Sequence, residues 1–390
     1  MKMKTPKLSC VWKAVAIAFL LDSLIIPATA NLSNSKVLPS MGARAEQVQT
    51  IHSSIEASVR ISSSGVIVDT NYPLKGINYG WNKLDGSWIN TWLSTKWNET
   101  KVRSDFVEMQ KMGVSLVRVF SGFEQCINWT PGVDGGYSGF NRYISNVDSL
   151  FEIARKNDVQ IILNIHFAEA SFHWDSLFNI DGKLLRPNLR ESYLNMMRDL
   201  ALRYKDETGL YAFDLFNEVY SLIDLNPDQT GCIGGSPSEN NVTVEIMHDY
   251  LRDSYQTIKK ADPNRLVTFE VTANHQSSPV GTFYKYRQLI EDCVDYYQVG
   301  AYNNNGILAE DLLPDLDQVD KPVILGECGA SEFWLPAINA EALQKFWDEA
   351  KALGIKAVLP WSFVEDNIID SITHEWKEGA FTIQNWPNGN

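Results

Sequence analysis

The sequence contains few basic residues relative to acidic ones. Its 390 residues include 34 Lys and Arg against 48 Asp and Glu, which gives a formal net charge of −14 at neutral pH. A nucleic-acid-binding protein needs a basic surface to neutralise phosphates, so we do not expect this chain to bind nucleic acid. A polyanionic ligand fits poorly for the same reason, whereas a neutral substrate suits this charge balance.

The motifs that hold metals, phosphates and activated serines are also missing. The 6 histidines are scattered and show no zinc-binding H-E-x-x-H spacing. No Gly-rich phosphate turn follows the first strand-like segment, and no G-x-S-x-G nucleophile elbow occurs. We therefore expect no metal and no cofactor, and the pattern of a serine hydrolase is absent.

Long apolar runs are absent beyond the first thirty residues. Residues 1–30 combine a basic start, an apolar run from Ala14 to Leu21 and the small residues Ala28-Thr29-Ala30, which is the three-part pattern of a signal peptide. An uncleaved anchor is the alternative, but the run is too short to span a bilayer and Asp22 interrupts it. We predict secretion to the extracellular or periplasmic space, with no stable membrane insertion after cleavage.

Cysteine is sparse, with 5 in the whole chain. One lies in the predicted signal peptide, and the others are Cys126, Cys232, Cys293 and Cys328. A disulfide between Cys126 and Cys232, which both lie in polar, Gly-rich segments, would suit an exported protein. Four free thiols fit the sequence equally well, because spacing alone does not select a pairing.

The sequence does contain a regular alternation of strand-like and helix-like segments. Residues 31–60 are rich in Ser, Asn and Ala and are predicted to form a linker or loosely ordered arm, which leaves residues 61–390 as one folded domain. Within that domain, eight β-rich segments alternate with amphipathic helical segments. The β-rich segments end near Tyr79, Phe120, His166, Glu218, Val271, Ala301, Glu327 and Trp361.

This alternation predicts an α/β fold, a (β/α)8 TIM barrel with a short N-terminal hairpin in "SSGVIVDTNYPL". The helical segments "KVRSDFVEMQKMG" and "EALQKFWDEAKALG" each carry one apolar face and end at a glycine, Gly113 and Gly354. An open doubly wound sheet is the alternative, although it would favour a Gly-rich phosphate turn that the sequence lacks.

Polar side chains collect where the predicted strands end. In a (β/α)8 barrel these ends meet at one face, which is where catalytic residues lie. They are Arg118, His166, Asn217 with Glu218, Tyr302, Glu327 and Trp361. Each has an ordinary structural explanation on its own, but their occurrence at the same end of successive strands predicts a shared site.

Glu218 and Glu327 would face each other across the mouth of the barrel. Two carboxyl groups of this kind are what glycoside hydrolysis requires, one to donate a proton and one to attack the sugar. Two close carboxylates resist ionising together, so the one with cationic and hydrogen-bonding neighbours stays charged. We expect Arg118 and Tyr302 to hold Glu327 ionised, which leaves the proton on Glu218.

The sequence resembles glycoside hydrolase family 5, a cellulase- and mannanase-like family of barrel enzymes. The resemblance covers nearly all of residues 65–365 and is carried by "PLKGINY", "VSLVRVF", "IILNIHF", "FDLFNEVY", "VILGECG" and "VLPWSF". It implies that Glu218 is the acid/base, that Glu327 is the nucleophile and that Asn217 binds the sugar 2-hydroxyl. It further implies that the remaining substrate-binding residues are Arg118, His166, Tyr302 and Trp361.

The resemblance also implies a cis peptide after Trp361 and a retaining mechanism, with the two carboxyls about 5 Å apart. The chain departs from the family at Gly300, where a His is usual, and at Val219, where a Pro is common. Aromatic residues crowd the predicted loops near the mouth of the barrel, where most are expected to fill the core rather than stack on sugar. They are Trp81, Trp88, Trp92, Trp97, Phe172 and Trp174.

We therefore predict a retaining hydrolase of β-glycosidic bonds in a neutral poly- or oligosaccharide. The substrate is expected to be β-1,4-glucan or β-mannan, and cleavage within the chain and from its end both remain open. The alternatives are a transglycosidase with the same site and a non-catalytic carbohydrate-binding barrel. The sequence does not determine an oligomeric state, and we expect a monomer.

Overall fold

The structure is a computed structural model of the chain, and part of the sequence is described by it. The described residues are 72–82, 87–88, 97–121, 140–165, 187–217, 244–270, 291–302, 319–329, 340–363, 368–370 and 373–387. The predicted signal peptide, the arm and nearly all of the predicted hairpin lie outside these residues. The domain boundaries at residues 30 and 60 therefore remain predictions.

Eight parallel strands form one sheet, and neighbouring strands pair in the order β5-β4-β3-β2-β1-β8-β7-β6. Their bounds are β1 (Leu74–Tyr79), β2 (Leu116–Phe120), β3 (Gln160–Asn164), β4 (Leu210–Asp214), β5 (Leu266–Thr268), β6 (Tyr297–Tyr302), β7 (Val323–Gly329) and β8 (Ala357–Pro360). A separate antiparallel pair, Trp81–Asn82 with Ser87–Trp88, follows β1.

Strands β5 and β6 stand at the two ends of this order, and hydrogen bonds join them. The backbone N–H of Asp295 donates to the carbonyl of Val267 at 2.8 Å, and the hydroxyl of Thr268 donates to the carbonyl of Tyr296 at 2.9 Å. An isolated parallel bridge between Glu270 and Gln298 continues the contact. The sheet thus closes on itself, which confirms the predicted (β/α)8 barrel over the open doubly wound sheet.

Helices lie between the strands in the described part of the chain. They are α1 (Glu99–Lys111), α2 (Phe140–Lys156), α3 (Pro187–Arg203), α4 (Val244–Ala261), α5 (Ala340–Ala352) and, after the last strand, α6 (Glu378–Asn385). The predicted stop signals after α1 and α5 are confirmed, because Gly113 and Gly354 adopt φ values of 77° and 75°, which favour glycine. None of the described helices is both long enough and apolar enough to cross a bilayer.

The interior of the barrel has an apolar floor with polar residues directly above it. The floor contains Leu116, Ile162, Ala212, Tyr296, Ile324, Ala357 and Leu359. Side chains two positions apart in a strand share a face. Two positions after floor residues come Arg118, Asp214 and Gln298. Their side chains therefore also point into the barrel, where all three residues are fully buried.

The C-terminal helix is anchored by a stacked pair of indoles. The rings of Trp347 on α5 and Trp386 just after α6 lie 4.3 Å apart and 12° from parallel. Both side chains are buried, and they belong to the apolar layer between the helices and the sheet. This contact ties the end of the chain to the barrel wall.

Replacing Trp386 by Ala should lower the free energy of unfolding by about 3–5 kcal/mol, because it empties a fully packed aromatic site. Urea denaturation followed by circular dichroism measures the change. Leu202→Ala is the control, since Leu202 on α3 is 55% exposed and its truncation should change stability by about 0.5 kcal/mol or less. Equal losses in the two variants would contradict the anchoring role of the indole pair.

Candidate active site

The guanidinium group of Arg118 lies at the centre of the polar cluster above the barrel floor. Its Nε donates to Oδ2 of Asp214 at 2.6 Å and its Nη2 donates to Oδ1 of Asn217 at 2.7 Å. Its Nη1 donates to Oε1 of Glu327, and Oε2 of Glu270 lies 3.4 Å from Nη2. One cation from β2 thus binds groups from three other parts of the barrel.

Arg118 remains charged in this position despite being fully buried. Burial opposes its charged form, but the carboxylates of Asp214, Glu327 and Glu270 outweigh that penalty and raise the pKa of Arg118 above its ordinary value. The ring of Phe120 packs against the guanidinium, with its centroid 4.6 Å from the central carbon. The cluster therefore contains a permanent positive charge.

Both oxygens of the Glu327 carboxylate are held. Oε1 accepts from Arg118, and Oε2 accepts from the hydroxyl of Tyr302 at 2.6 Å. The residue is 3% exposed, so the carboxylate is almost enclosed. These are the two residues that the sequence analysis expected to hold Glu327, and together they fix the orientation of the carboxylate.

Strand β4 ends earlier than predicted. Its last residue is Asp214, whereas the apolar run suggested a strand reaching Glu218. Backbone pairing to β5 continues for two residues, because Leu215 N–H donates to the carbonyl of Thr268 at 2.7 Å and Glu270 N–H donates to that of Phe216 at 2.9 Å. The side chain of Asn217, beyond the strand, turns inward to Arg118.

Two of the predicted site residues, His166 and Glu218, lie outside the described residues. The predicted separation of about 5 Å between the two carboxyls of a retaining enzyme therefore remains a prediction for Glu218 and Glu327. Asn217 contacts the Arg118 side chain, so the described chain reaches the cluster one residue before Glu218.

Trp361 follows β8 at the edge of the same cluster. Its ring meets that of Phe120 edge to face, with centroids 5.3 Å apart, and its backbone N–H donates to the carbonyl of Cys328 at 2.8 Å. The Trp361–Ser362 peptide bond is cis, as the resemblance implied. Trp361 therefore stands beside the ring that supports Arg118.

The sequence reasoning missed three buried polar residues of this cluster: Asp214, Glu270 and Gln298. Nε2 of Gln298 donates to the same Asp214 oxygen that binds Arg118, at 3.1 Å. A signal for Asp214 and Gln298 did exist, because each follows a residue of the apolar floor by two positions in the chain. Glu270 continues the same alternation from Leu266, which packs on the floor, but it lies just past the short strand β5.

Gly300, where the family usually has a His, also occupies a structurally constrained position. Gly300 is buried in β6 and pairs directly with Glu327 in the strand ladder.

Among the loop aromatics, Trp97 is partly buried and packs on the outer core, as expected of a core-filling residue. The side chains of Trp81 and Trp88 and all of Trp92, Phe172 and Trp174 lie outside the described part of the structure.

One group of potential metal ligands occurs among the described residues, away from the cluster. It consists of His248, Asp292 and Cys293, but the guanidinium of Arg252 already donates to Nδ1 of His248 at 2.8 Å. Burial raises the pKa of the Cys293 thiol, and the neighbouring Asp292 adds to the effect. A neutral thiol next to a fixed cation is a poor metal site, and the group instead connects α4 to the segment before β6.

The described cysteines are two free thiols, Cys293 and Cys328. Burial raises the pKa of Cys328, and the charge of the adjacent Glu327 raises it further. Both thiols are therefore expected to stay neutral and unreactive in the folded protein. Cys126 and Cys232 lie outside the described residues, so the two predicted alternatives for them remain open.

An α/β barrel with polar residues at the carboxyl ends of its strands is the architecture of many enzymes, and the family comparison identifies this chain as a glycoside hydrolase. Residues 75–367 match the family model described as Cellulase (glycosyl hydrolase family 5). The chain belongs to glycosyl hydrolase family 5. A search of curated proteins returned no match.

Solved structures with the same fold include two mannanases. A β-mannanase from the blue mussel Mytilus edulis is similar with a TM-score of 0.56 and 16% identity, over 80% of this chain and 91% of that one. A β-1,4-D-mannanase from Cryptopygus antarcticus gives 0.55 and 15%, over 80% and 89%. GH5_18 from Streptomyces cattleya, in complex with GlcNAc, gives 0.55 and 17%, over 81% and 80%.

Replacing Asp214 by Ala should lower kcat/KM by about 10- to 100-fold, because it leaves Nε of Arg118 without its charged acceptor inside the barrel. Asp214→Asn is the matched variant. Its amide oxygen still accepts from Arg118 and Gln298, so the loss should be below about tenfold. Initial rates on the best polysaccharide substrate measure both, with circular dichroism to verify folding. Wild-type activity in Asp214→Ala would show that Arg118 needs no support from β4.

Proposed function

We propose that the protein is a retaining hydrolase of a β-1,4-linked neutral polysaccharide, with β-mannan as the first candidate and β-1,4-glucan as the second. The observation that carries this proposal is the Glu327 carboxylate, held on one oxygen by Arg118 and on the other by Tyr302. A carboxylate with both oxygens fixed beside a permanent cation suits a nucleophile that must stay ionised.

The contacts of Glu327 support its role as nucleophile, and the resemblance to the family assigns the role of acid/base to Glu218. Glu327 attacks the anomeric carbon, while Glu218 donates its proton to the departing glycosidic oxygen, and a covalent glycosyl-enzyme forms. Glu218, now a carboxylate, takes a proton from water as the water oxygen attacks the anomeric carbon, and the bond to Glu327 breaks. The sugar is released with its original configuration.

The neighbouring residues position the sugar. Asn217 is anchored by Arg118 through its Oδ1, which leaves its amide N–H groups for the 2-hydroxyl. His166 and Trp361 are assigned to the same sugar, Trp361 because its ring stands at the edge of the cluster beside Phe120. Hydrogen bonds to the 2-hydroxyl that strengthen in the transition state supply part of the rate enhancement.

The substrate class rests on charge and on similarity. The net charge of −14 suits an uncharged polysaccharide, and the structural relatives include proteins described as β-mannanases. We therefore rank β-mannan as the first candidate substrate. The description of the family model as a cellulase supports β-1,4-glucan as the second. A polysaccharide is too large to enter a cell, so we also propose that residues 1–30 direct secretion.

A panel of neutral polysaccharides tests the substrate and the stereochemistry. We expect release of short oligosaccharides from β-mannan or glucomannan and weaker action on soluble β-1,4-glucan. Proton NMR during the first minutes should show the β anomer forming first, as retention requires. Formation of the α anomer first would refute the mechanism, and binding without turnover would favour a carbohydrate-binding barrel. Longer products at high sugar concentration would indicate a transglycosidase.

Substitutions at the two glutamates test their roles separately. Glu327→Ala should abolish turnover of every substrate while oligosaccharide binding, measured by calorimetry, persists. Glu218→Ala should reduce polysaccharide hydrolysis by about 10²- to 10⁴-fold, but far less for formation of the glycosyl-enzyme from an aryl glycoside whose leaving group needs no proton. Glu341→Gln is the matched control, because Glu341 is exposed on α5. Equal effects on both substrate types would contradict the assignment of Glu218 as acid.

A further inference from the structure

Two consecutive residues of β7, Gly326 and Glu327, both face the interior of the barrel. Ile324 belongs to the apolar floor, and alternation along a strand then places Gly326 on the same inward face. A Cβ on Gly326 would overlap the side chain of Gln298, which confirms that it points inward. Glu327 should therefore point outward, yet its carboxylate contacts Arg118 and Tyr302 inside the barrel.

An extra residue in β7 resolves this conflict. Along β6, Val299 pairs with Leu325, but the next residue, Gly300, pairs with Glu327, so β7 advances two positions where β6 advances one. On its other side β7 pairs with β8. Between two successive paired positions there, β7 advances three residues while β8 advances two. This is a β-bulge, which inserts one residue and re-aims the side chains that follow.

The bulge decides where the predicted nucleophile lies. Without it, Glu327 would share the outward face of Leu325, which packs in the apolar layer beneath the helices. A carboxylate in that layer would be buried without the cation that Arg118 provides, which is unfavourable because a buried charge needs a partner. The position of the carboxylate therefore depends on the backbone geometry at Gly326.

The side chain of Asn78 holds this backbone. Asn78 lies on β1, is fully buried, and reaches past the neighbouring strand β8 to β7. Its Nδ2 lies 2.9 Å from the carbonyl oxygens of Gly326 and Leu359 and 3.3 Å from that of Pro360. An amide nitrogen has two N–H groups to donate, and here its two nearest acceptors are the carbonyl of Gly326 in the bulge and the carbonyl of Leu359 on β8.

We propose that Asn78 is a positioning residue for Glu327. Its amide donates to carbonyls of the bulge at Gly326 and of β8, and so keeps the Glu327 carboxylate oriented toward Arg118 and Tyr302. The residue type follows from the contacts: Leu would leave buried carbonyls without donors, and Asp would place an acceptor against acceptors. This inference rests on the proposed role of Glu327 as nucleophile.

Replacing Asn78 by Ala should lower kcat by about 10²-fold, the scale of loss expected when a reacting group moves by about 1 Å. KM should change by less than about threefold, because the variant retains the groups that bind the sugar. Asn78→Asp should lose at least as much. An unchanged kcat, or a loss confined to KM, would overturn the proposal.

Asn157→Ala is the matched control for stability. Asn157 is also a buried Asn whose Nδ2 donates to a backbone carbonyl, that of Ile153 at 2.8 Å, but it lies after α2 on the outside of the barrel. Its replacement should destabilise the protein without lowering kcat. If Asn157→Ala lowered kcat as much as Asn78→Ala, the effect of Asn78 would be one of general stability and the proposal would fail.

A second pair of variants tests the bulge without touching Asn78. Gly326→Ala should lower kcat strongly, because the new methyl group meets Gln298 and the bulge must shift. Adding Gln298→Ala opens that space, so the double variant should recover to the level of Gln298→Ala alone. That single variant is the reference, since Gln298 also donates to Asp214. A double variant no better than Gly326→Ala would contradict the steric argument.

A crystal structure of Asn78→Ala separates this inference from the proposed function. If the wild-type protein hydrolyses no polysaccharide of the panel, the proposed function fails, but the position of Glu327 can still be measured. Loss of the 2.6 Å contact between Tyr302 Oη and Glu327 Oε2 in the variant supports Asn78 as the positioning residue. An unchanged contact in the variant overturns it, whatever the substrate.

Discussion

The shared guanidinium of Arg118 is the interaction on which the rest of the site depends. A buried cation is tolerated only when anions compensate for its lost hydration, and Arg118 has carboxylates from β4, from the end of β5 and from β7 around it. Arginine suits this position because its planar group cannot lose its proton and presents donors in several fixed directions. Each partner is therefore oriented by the same rigid group.

Closure of the sheet makes that interaction possible. Arg118 lies on β2 and Glu327 on β7, with β1 and β8 between them in the sheet, so their side chains meet only across the interior of a ring. The contact between Gln298 on β6 and Asp214 on β4 likewise bridges the two strands that flank β5. In a flat sheet these groups would lie too far apart to touch. The barrel thus assembles the site as well as supporting it.

Much of the fold and part of the site could be predicted from the sequence. Periodic apolar residues and the glycines after α1 and α5 predicted helix positions correctly, and the strand-end rule brought Arg118, Asn217, Tyr302 and Glu327 into one candidate site. The end of β4 was predicted four residues too late, because an apolar run does not reveal where pairing to a neighbour stops. The sequence placed Asn78 on a strand but gave no link between it and the site, since its partners lie far away in the chain.

The sequence by itself determined which residue types were available and on which strands they lie, because local alternation and capping depend on near neighbours in the chain. Only the tertiary structure decided which of them meet. The bulge at Gly326, the shared partners of Arg118 and the reach of Asn78 from β1 to β7 all depend on the register between strands that are distant in sequence. Register is set by the packing of the whole barrel, so no local pattern encodes it.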